Sequence, residues 1–485
     1  MTSFSGLNIR EGPMHAQTRP WRLPLLPFTA SLLLALHGPV VAQTLGGAPV
    51  PAGGFSIAPA SVNPVAALKP KPRKKAVAPV VHERVVARND KRPSFHPRSL
   101  EAINEAARKY LAISQGGGWP ILPKDAAITA ASEGEIVLML RQRLAAEGDL
   151  PTEEVTKEVV DPGLIAAVKR FQARHGQSQN GLVSGATLSE LRVSAQDRFR
   201  QLNESARRLT ARTGFNFASR YVVVNIPSAS VEAIENGIVE KRYVAVVGKK
   251  DRASPEVETR ITNVNLNPTW TVPVSIVKKD IIPKMRKDPG YLAKSKIRIF
   301  GASGNEIPAT AIDWNTERAA AFNLRQESGS GNALGQLRID MPNRDAVYMH
   351  DTPSKRLFGL DNRFQSSGCV RVENVRDFAV WILEGQKGWD RTTIDTAIAT
   401  GERKDIRPTA PIPVVWTYLT GYVTPDGLVH FRRDIYGLDT GEVLNAAEEA
   451  RPVRRAQTEP ITLDSAGLTA RAAEANRVPV QRIDP

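Results

Sequence analysis

Cysteine is the scarcest residue of this chain, because Cys369 is the only one among 485 residues. A single cysteine excludes an intrachain disulfide. It also leaves one thiol unpaired, and a thiol that no disulfide consumes is a candidate nucleophile once it is deprotonated. Cys369 is therefore the first residue to place in a functional context.

Histidine is also uncommon. The seven histidines lie at positions 15, 37, 82, 96, 175, 350 and 430. No two of them have the spacing of a metal-binding motif such as His-Glu-x-x-His. We therefore predict that the protein binds no metal ion and needs no cofactor.

Long apolar runs are also missing, and the run nearest the N-terminus, Leu23 to Leu36, is too short to span a bilayer comfortably. Arg19 and Arg22 precede it, and the small-residue pattern Val40-Val-Ala42 follows it. This order is typical of an export signal. We predict that residues 1–42 are a signal peptide, with an uncleaved membrane anchor as the alternative. In both cases the bulk of the chain is exported.

Acidic residues are too few to balance the basic ones, so the formal net charge is +15. Between Lys69 and Arg98, ten basic residues stand against two acidic ones. Residues 43–96 are also rich in Pro, Ala and Gly without a helical or strand period, which predicts a solvated linker. The basic half could instead rest on anionic lipid, acidic wall polymers or nucleic acid. Neither an aromatic platform nor a zinc-ligand spacing accompanies it, and we predict no nucleic-acid partner.

Helical patterns dominate the part of the chain that follows the linker. Apolar residues at three- and four-residue spacing predict a long helix from Ser99 onward. It belongs to a helical scaffold of residues 97–130 that continues at residues 195–217. Three shorter helices are predicted within residues 131–194, and we expect these to form a small domain.

Strand patterns replace the helical ones after residue 217, so the fold class is predicted to be α+β. Short β-branched and aromatic runs bounded by Gly, Pro and Asn indicate a mainly-β domain over residues 218–440. An insertion at about 268–322 contains helical pieces and turns, and it lies where it could cover a site as a lid. Residues 441–485 have no sustained period and are predicted to be a disordered tail.

The pairing of Cys369 with His350 indicates chemistry. A Ser-Ser-Gly turn directly precedes the sulfur, and His350 lies nineteen positions upstream. A nearby imidazole is the commonest means of activating a thiol near neutral pH. Gly368 permits a sharp turn, so the amides of Gly368 and Cys369 could point at a developing oxyanion. The alternative is a small buried cysteine and a surface histidine.

The small helical domain resembles a known family. Ala167-Val-Lys-Arg-Phe-Gln-Ala-Arg-His175 and Asn180-Gly-Leu-Val-Ser-Gly185 are similar to the peptidoglycan-binding domain of many wall-active enzymes. That family commonly has Asp-Gly-x-x-Gly where this chain has Asn-Gly-x-x-Gly. The resemblance implies peptidoglycan binding. The alternative is a generic helical bundle, and in either case Phe171 and Leu182 are expected in its core.

The strand-rich domain resembles the L,D-transpeptidase family. Tyr348-Met-His350-Asp-Thr-Pro and Ser366-Ser-Gly-Cys369-Val-Arg371-Val are similar to its active-site signature, and Asn332-Ala-Leu-Gly335 and Asp434-Ile-Tyr-Gly437 agree with a long-chain periplasmic subgroup. Many members have Ser-His-Gly-Cys, whereas this chain has Ser367 in place of that histidine. A serine cannot titrate as a base, so the resemblance leaves His350 as the base.

The resemblance implies a periplasmic enzyme that forms 3→3 cross-links between peptidoglycan stem peptides through a Cys369 thioester. A donor stem and an acceptor stem are the implied partners. An L,D-carboxypeptidase or an enzyme that attaches a lipoprotein to peptidoglycan would use the same thioester. A non-catalytic wall-binding scaffold is the alternative from another class.

The remaining site residues have less specific expectations. Arg371 either holds a substrate carboxylate or pairs with a local acid. Ser367, together with Gly368, is expected to support the oxyanion site, and Tyr348 either contacts substrate or packs. Adjacent residues on a strand point in opposite directions. A backbone carbonyl is therefore a better candidate than Asp351 for orienting His350.

Overall fold

The computed structural model describes residues 89–440. The predicted signal peptide, residues 43–88 of the predicted linker and the predicted tail lie outside the described residues. Between residues 89 and 440, none of the helices combines the length and the apolar composition that a membrane crossing requires.

Helices occur in every part of the described chain. They are α1 (Ser99–Gln115), α2 (Glu135–Ala146), α3 (Pro162–Arg174), α4 (Gly185–Leu191), α5 (Ala195–Thr210), α6 (Val274–Ile276), α7 (Ile282–Lys287), α8 (Tyr291–Lys294), α9 (Val375–Ile382) and α10 (Arg391–Ala399). A π-helical turn, Val277–Ile281, joins α6 to α7.

Strands begin only after α5. They are β1 (Arg220–Asn225), β2 (Ser230–Glu235), β3 (Ile238–Gly248), β4 (Val257–Ile261), β5 (Asn263–Leu266), β6 (Trp270–Thr271), β7 (Ile297–Phe300), β8 (Asn323–Gln326), β9 (Leu337–Asp340), β10 (Met349–His350), β11 (Phe364–Ser366), β12 (Val370–Val372), β13 (Lys404–Ile406), β14 (Ile412–Thr417), β15 (Gly421–Val423) and β16 (Val429–Phe431). The change from helices to strands gives the α+β class that the sequence predicts.

The helices α2, α3 and α4 enclose a core of their own. Leu140, Leu144 and Phe171 are almost completely buried in it. The start of α3 is capped, because the Asp161 carboxylate accepts from the Leu164 amide at 2.7 Å. The expectation that Leu182 is a core residue is wrong, since this side chain is 59% exposed. It follows the Asn-Gly turn, outside the helical positions whose spacing keeps side chains on the core face.

The scaffold helices α1 and α5 pack on each other and cover one face of the main sheet. Along β1, Tyr221 and Val223 are buried with residues of these helices, whereas Val222 and Val224 are buried in the core on the opposite side. Side chains alternate between the two faces of a strand. A strand covered on both faces reads as a continuous apolar run, as the sequence of β1 does.

The main sheet has the order β13-β5-β9-β10-β12-β3-β2-β1-β14-β4, with β11 paired to β3 beside this path. β10 and β12 are parallel neighbours in its interior. His350 ends β10, and Cys369 immediately precedes β12. The strand order therefore brings two distant parts of the chain together at one place.

The predicted C-terminal end of the linker is wrong, because residues 89–96 pack against the strand-rich domain. Phe95 is 3% exposed, and its carbonyl oxygen accepts from the Tyr221 hydroxyl at 3.3 Å. The Ser94 amide donates to the Glu232 carboxylate at 2.9 Å. Burial of the Phe95 ring stabilises this packing, although the composition of the segment is typical of a linker.

The insertion folds as a small subdomain, which we call the lid. Strands β6, β8 and β7 form a three-stranded sheet, and α6, α7 and α8 pack on it around a core that includes Val277, Ile281 and Leu324. The predicted boundary at residue 322 is one strand too early. β8 pairs with both β6 and β7, so it belongs to the lid.

Candidate active site

Two short neighbouring strands bring the predicted site residues together. Met349 of β10 lies opposite Val370 of β12, and His350 lies opposite Arg371. The Val370 amide donates to the carbonyl oxygen of Tyr348 at 3.1 Å. Because side chains alternate along a strand, Tyr348 and His350 share one face of this pair. The rings of Tyr348 and His350 make an edge-on contact with centroids 5.7 Å apart.

Cys369 and Arg371 lie on the same face as the histidine. Cys369 precedes Val370 by one position, so it stands beside Tyr348 and is the diagonal neighbour of His350. Strands about 4.8 Å apart with a rise of about 3.3 Å per residue place the two Cα atoms about 8 Å apart. Nδ1 of His350 makes no hydrogen bond to the sulfur, so at this spacing proton exchange between the two groups requires an intervening water molecule or a small side-chain movement.

Serine hydrogen bonds hold the turn before the nucleophile. The Ser366 hydroxyl donates to the Cys369 carbonyl oxygen at 2.6 Å, and the Ser254 hydroxyl donates to the Gly368 carbonyl oxygen at 2.7 Å. Gly368 has a φ of 119°, a conformation that is strained for any residue with a Cβ. The turn leaves Cys369 half-buried, so the thiol lies at the sheet surface and not deep in the core.

The two amides that could bind an oxyanion differ in availability. The Gly368 amide already donates to the Ser366 hydroxyl at 3.2 Å. Within residues 89–440, the Cys369 amide has no hydrogen-bond acceptor. A free N–H beside the attacking sulfur is suited to receive the charge that develops on a carbonyl oxygen. Cys369 is therefore the better-placed oxyanion donor, and Gly368 supports it mainly through the shape of the turn.

The Cys369 thiol is protonated at neutral pH. Burial raises its pKa to about 11, although hydrogen bonds from the backbone and the hydroxyl of Tyr348 and the positive charges of Arg371 and Arg338 oppose the rise. These groups all favour the thiolate over the thiol. The site thus stabilises an anion but still needs a base to remove the thiol proton.

His350 is in the state that a base requires. Its ring is 5% exposed, and Nδ1 has no hydrogen-bond partner in the described part of the chain. Burial, together with the smaller effects of the charges of Arg371 and Arg338, lowers the pKa of His350 to about 3. The imidazole is therefore unprotonated at neutral pH, and Nδ1 is free to accept a proton.

Asp351 does not orient the histidine. Its carboxylate contacts the Lys355 ammonium group and accepts from the Gln336 amide at 3.1 Å. The backbone of Asp351 and of Leu334 opposes the lowering of the His350 pKa. The backbone, and not the adjacent carboxylate, therefore acts on the imidazole.

Arg371 is a half-buried guanidinium without a partner. Among residues 89–440 it has neither a carboxylate within ion-pair distance nor a hydrogen bond, and its Nε is buried and unpaired. The local ion pair considered from the sequence is therefore absent from the described residues. An unpaired guanidinium beside a thiol is available to bind a carboxylate.

Arg338 was not singled out from the sequence. It lies opposite His350 on β9, its guanidinium lies 5.2 Å from the Tyr348 ring centre, and its Nε donates to the Asn265 side chain at 3.1 Å. The available signal was its position between Leu337 and Ile339 in a strand, which directs it away from the core. The strand pairing that places it beside the histidine could not be read from the sequence.

Tyr348 interacts with both Cys369 and the lid. Its backbone and hydroxyl oppose the rise that burial causes in the pKa of the Cys369 thiol, and the side chain of Trp270 in β6 opposes the rise in the pKa of the Tyr348 hydroxyl. Trp270 also packs against the lid core. Tyr348 is therefore more than a packing residue.

Ser367 takes part in a different contact. Its side chain is exposed, and its hydroxyl accepts from the Arg252 guanidinium at 3.1 Å. The hydroxyl is therefore tied to a residue outside the signature.

A large crevice lies apart from this site, and the described residues contain no cluster of metal ligands. Between residues 89 and 440, no three His, Cys, Asp or Glu side chains are placed to hold a metal ion. A crevice of about 610 Å³ is lined by α3, by residues 89–92 and by the β15–β16 hairpin, and none of the predicted site residues lines it.

Acid should destabilise the protein before its carboxylates titrate. Burial lowers the pKa values of His96, His175, His350 and His430. Below the unfolded-state value of about 6.5, the unfolded chain binds protons that the folded chain refuses. The free energy of unfolding should therefore change little between pH 7 and about pH 8 and should fall between pH 6.5 and 4.5, by up to ~1.4 kcal/mol per pH unit for each histidine.

Urea unfolding at several pH values measures this slope. His430→Gln removes one titrating group outside the site. The slope of the unfolding free energy against pH should therefore decrease by the contribution of about one bound proton. An unfolding free energy that stays the same from pH 7.5 to pH 5 would contradict the prediction.

Comparisons with known proteins match two parts of the chain. Residues 219–403 match the family described as L,D-transpeptidase catalytic domain, and residues 133–191 match the family described as "Putative peptidoglycan binding domain". A "Putative L,D-transpeptidase" of Haemophilus influenzae is 34% identical over 230 residues, which are 47% of this chain and 46% of that protein. The match thus spans about half the length of this relative.

Two solved structures have more distant likenesses. An L,D-transpeptidase from Stackebrandtia nassauensis is 13% identical with a TM-score of 0.23, covering 54% of this chain and 90% of that one. An L,D-transpeptidase from Mycobacterium smegmatis is 12% identical with a TM-score of 0.21, covering 41% of this chain and 59% of that one. The family assignment therefore depends on the sequence matches and on the site itself. Residues 219–403 thus form a domain of the L,D-transpeptidase catalytic family, and a domain of the peptidoglycan-binding family at residues 133–191 precedes it.

Proposed function

We propose that this protein is an exported L,D-transpeptidase that forms 3→3 cross-links in peptidoglycan through a Cys369 thioester. One observation carries the proposal. A half-buried thiol and a buried imidazole with a free Nδ1 share one sheet face, within a domain of the L,D-transpeptidase family. Both groups are neutral at neutral pH, so a proton can move from sulfur to nitrogen as the sulfur attacks.

The first half-reaction forms the thioester. Sγ of Cys369 bonds to the carbonyl carbon of the third stem residue, while the thiol proton passes to Nδ1 of His350. The carbonyl oxygen becomes an oxyanion that the Cys369 amide stabilises, a contribution typically of about 10²–10³ in rate. Collapse of this intermediate breaks the C–N bond to the terminal D-amino acid, whose amine takes the proton from His350.

The second half-reaction transfers the acyl group. The side-chain amine of an acceptor stem attacks the thioester carbonyl and gives its extra proton to His350. The C–S bond then breaks, and the sulfur recovers a proton. One peptide bond is broken and one is formed, so the reaction needs neither an oxidant nor a cofactor.

Arg371 gives the site a preference for a donor that ends in a carboxylate. The terminal D-amino acid carries such a group next to the bond that breaks. A guanidinium holds a carboxylate through two parallel hydrogen bonds, and Arg371 has no competing acid among residues 89–440. The same charge also favours the thiolate of Cys369.

The other parts of the chain fit an enzyme of the cell wall. The predicted signal peptide would direct it to the periplasm, and the domain at residues 133–191 would hold the polymer near the catalytic domain. The substrate partners are then the donor and acceptor stems. Nucleic acid has no part in the proposal.

Product analysis tests the proposal. The purified exported chain is incubated with muropeptides that carry tetrapeptide stems, and the products are separated and sequenced by mass spectrometry. We expect 3→3 dimers with one D-amino acid released per dimer, and no products from Cys369→Ala. Tripeptide stems without dimers would indicate an L,D-carboxypeptidase, and transfer to a lipoprotein amine only would indicate the attachment activity. Binding without any product would favour the scaffold and overturn the proposal.

A further inference from the structure

The guanidinium of Arg252 joins the lid to the turn that carries the nucleophile. Its two terminal nitrogens hold the Asp280 carboxylate, with Nη2 donating to Oδ1 at 3.1 Å and Nη1 contacting Oδ2. Nη1 also donates to the Ser367 hydroxyl at 3.1 Å. Asp280 belongs to the lid, whereas Ser367 lies two positions before Cys369. One side chain therefore touches both parts.

Arg252 lies in a loop that several hydrogen bonds hold in place. The Tyr436 hydroxyl donates to the Gly248 carbonyl oxygen at 2.6 Å and accepts from the Ser254 amide at 3.1 Å. The Gly248 amide donates to the Ser254 hydroxyl at 2.9 Å, and that hydroxyl donates in turn to Gly368 at 2.7 Å. A Cβ at Gly248 would lie 2.3 Å from the Arg252 carbonyl oxygen, so the loop is tightly wound. The base of the Arg252 side chain is thus fixed relative to the nucleophile turn.

Asp280 is equally well fixed on the lid side. It lies in the π-helical turn between α6 and α7, and the flanking Val277 and Ile281 are buried in the lid core. A π-helical turn inside a helix is rare and is frequently found at functional sites. Because the turn is anchored by the lid core, movement of the lid must move the Asp280 carboxylate with it.

The contact is selective for the seated position of the lid. The Arg252 side chain is 13% exposed and that of Asp280 is 33% exposed. A two-pronged guanidinium–carboxylate pair requires defined geometry, so it would break if the lid moved away. The Arg252 side chain would then be released from Asp280, and its bond to Ser367 would no longer be held in place.

We propose that Arg252 is a positioning residue that couples seating of the lid to the geometry of the nucleophile turn. With the lid seated, Asp280 orients the guanidinium, and the guanidinium holds the Ser367 hydroxyl and with it the Ser-Ser-Gly turn. The attacking sulfur is then held in the position that reaction requires. This inference rests on the proposed function, because it concerns acylation of Cys369.

Carbapenem acylation of the full chain tests the coupling, because it isolates the first half-reaction. The maximal acylation rate and the half-saturating concentration are measured separately by intact mass at timed intervals. Arg252→Gln should lower the maximal rate about tenfold and change the half-saturating concentration less than threefold, since positioning acts on the chemical step. Asp280→Asn should lower the rate in the same direction.

The double variant distinguishes coupling from two separate losses. If Asp280 acts through Arg252, then Arg252→Gln with Asp280→Asn should be no slower than Arg252→Gln alone. Arg252→Lys should recover part of the rate, because one ammonium group cannot hold both partners. Lys278→Gln is the matched control: it breaks a lid ion pair with Glu317, 2.6 Å long, that does not reach the turn, and its rate should stay within twofold of wild type.

The outcomes separate this inference from the proposed function. If wild type is not acylated, the proposed function fails. If wild type is acylated and Arg252→Gln reacts at the same rate, the inference fails while the proposed function stands. Additive losses in the double variant, or a tenfold loss in Lys278→Gln, would also overturn the coupling.

Discussion

Cys369→Ala should form no covalent adduct with a carbapenem, whereas the wild-type chain should gain the full mass of one drug molecule. Opening of the lactam ring by a thiol expels no leaving group, so the mass increase equals the mass of the drug. The effect is complete because Cys369 is the only cysteine and the described residues offer no other thiol. Intact-mass analysis at near-neutral pH gives the answer directly.

A single cysteine also provides the control. Iodoacetamide should label the wild-type chain at one position and Cys369→Ala at none, and prior treatment with the carbapenem should block that labelling. Cys369→Ser keeps a hydroxyl of similar size, so it tests whether the sulfur itself is needed. Folding of both variants is compared by thermal unfolding. An adduct of equal size on Cys369→Ala would remove Cys369 from the mechanism.

His350→Gln should slow acylation at pH 7 by about 10²–10⁴, the range that a positioned base contributes. The burial that raises the thiol pKa to about 11 leaves only about 10⁻⁴ of the thiol ionised at pH 7 without a base. The variant's rate should therefore rise about tenfold per pH unit up to pH 10. The wild-type rate should change little over the same interval, because His350, with a pKa of about 3, stays unprotonated.

The matched control for this variant is His430→Gln. His430 is also buried, with an unpaired Nδ1, but it lies on β16 away from the thiol. If the loss came from removing any buried histidine, both variants would react slowly. A His350→Gln rate within threefold of wild type at pH 7, with the same pH dependence, would exclude His350 as the base.

Several structural features could be predicted because they depend on nearby residues. The long helix α1 follows from apolar residues at three- and four-residue spacing and spans Ser99–Gln115. The capped start of α3 follows from Asp161 and Pro162. The turn before Cys369 follows from a glycine, and Gly368 does adopt a positive φ. Each of these features is decided within a few residues of the chain.

Other features could not be predicted because they depend on distant partners. Residues 89–96 have the composition of a linker, yet Phe95 is buried against the domain. Leu182 is apolar but exposed. Arg252 appears in a charged loop with no motif, and only folding brings it to Asp280 and Ser367. In each case the deciding contact lies far away along the chain or faces solvent.

The amino-acid sequence by itself determined which groups can react: one thiol, one histidine at a fixed spacing, and a glycine turn between serines. These are properties of residue type and local order, so no fold is needed to state them. Tertiary structure alone decided that both groups share a sheet face, that His350 is unprotonated, and that Arg371 is unpaired. Strand pairing and burial set these properties, and both arise only when distant segments pack together.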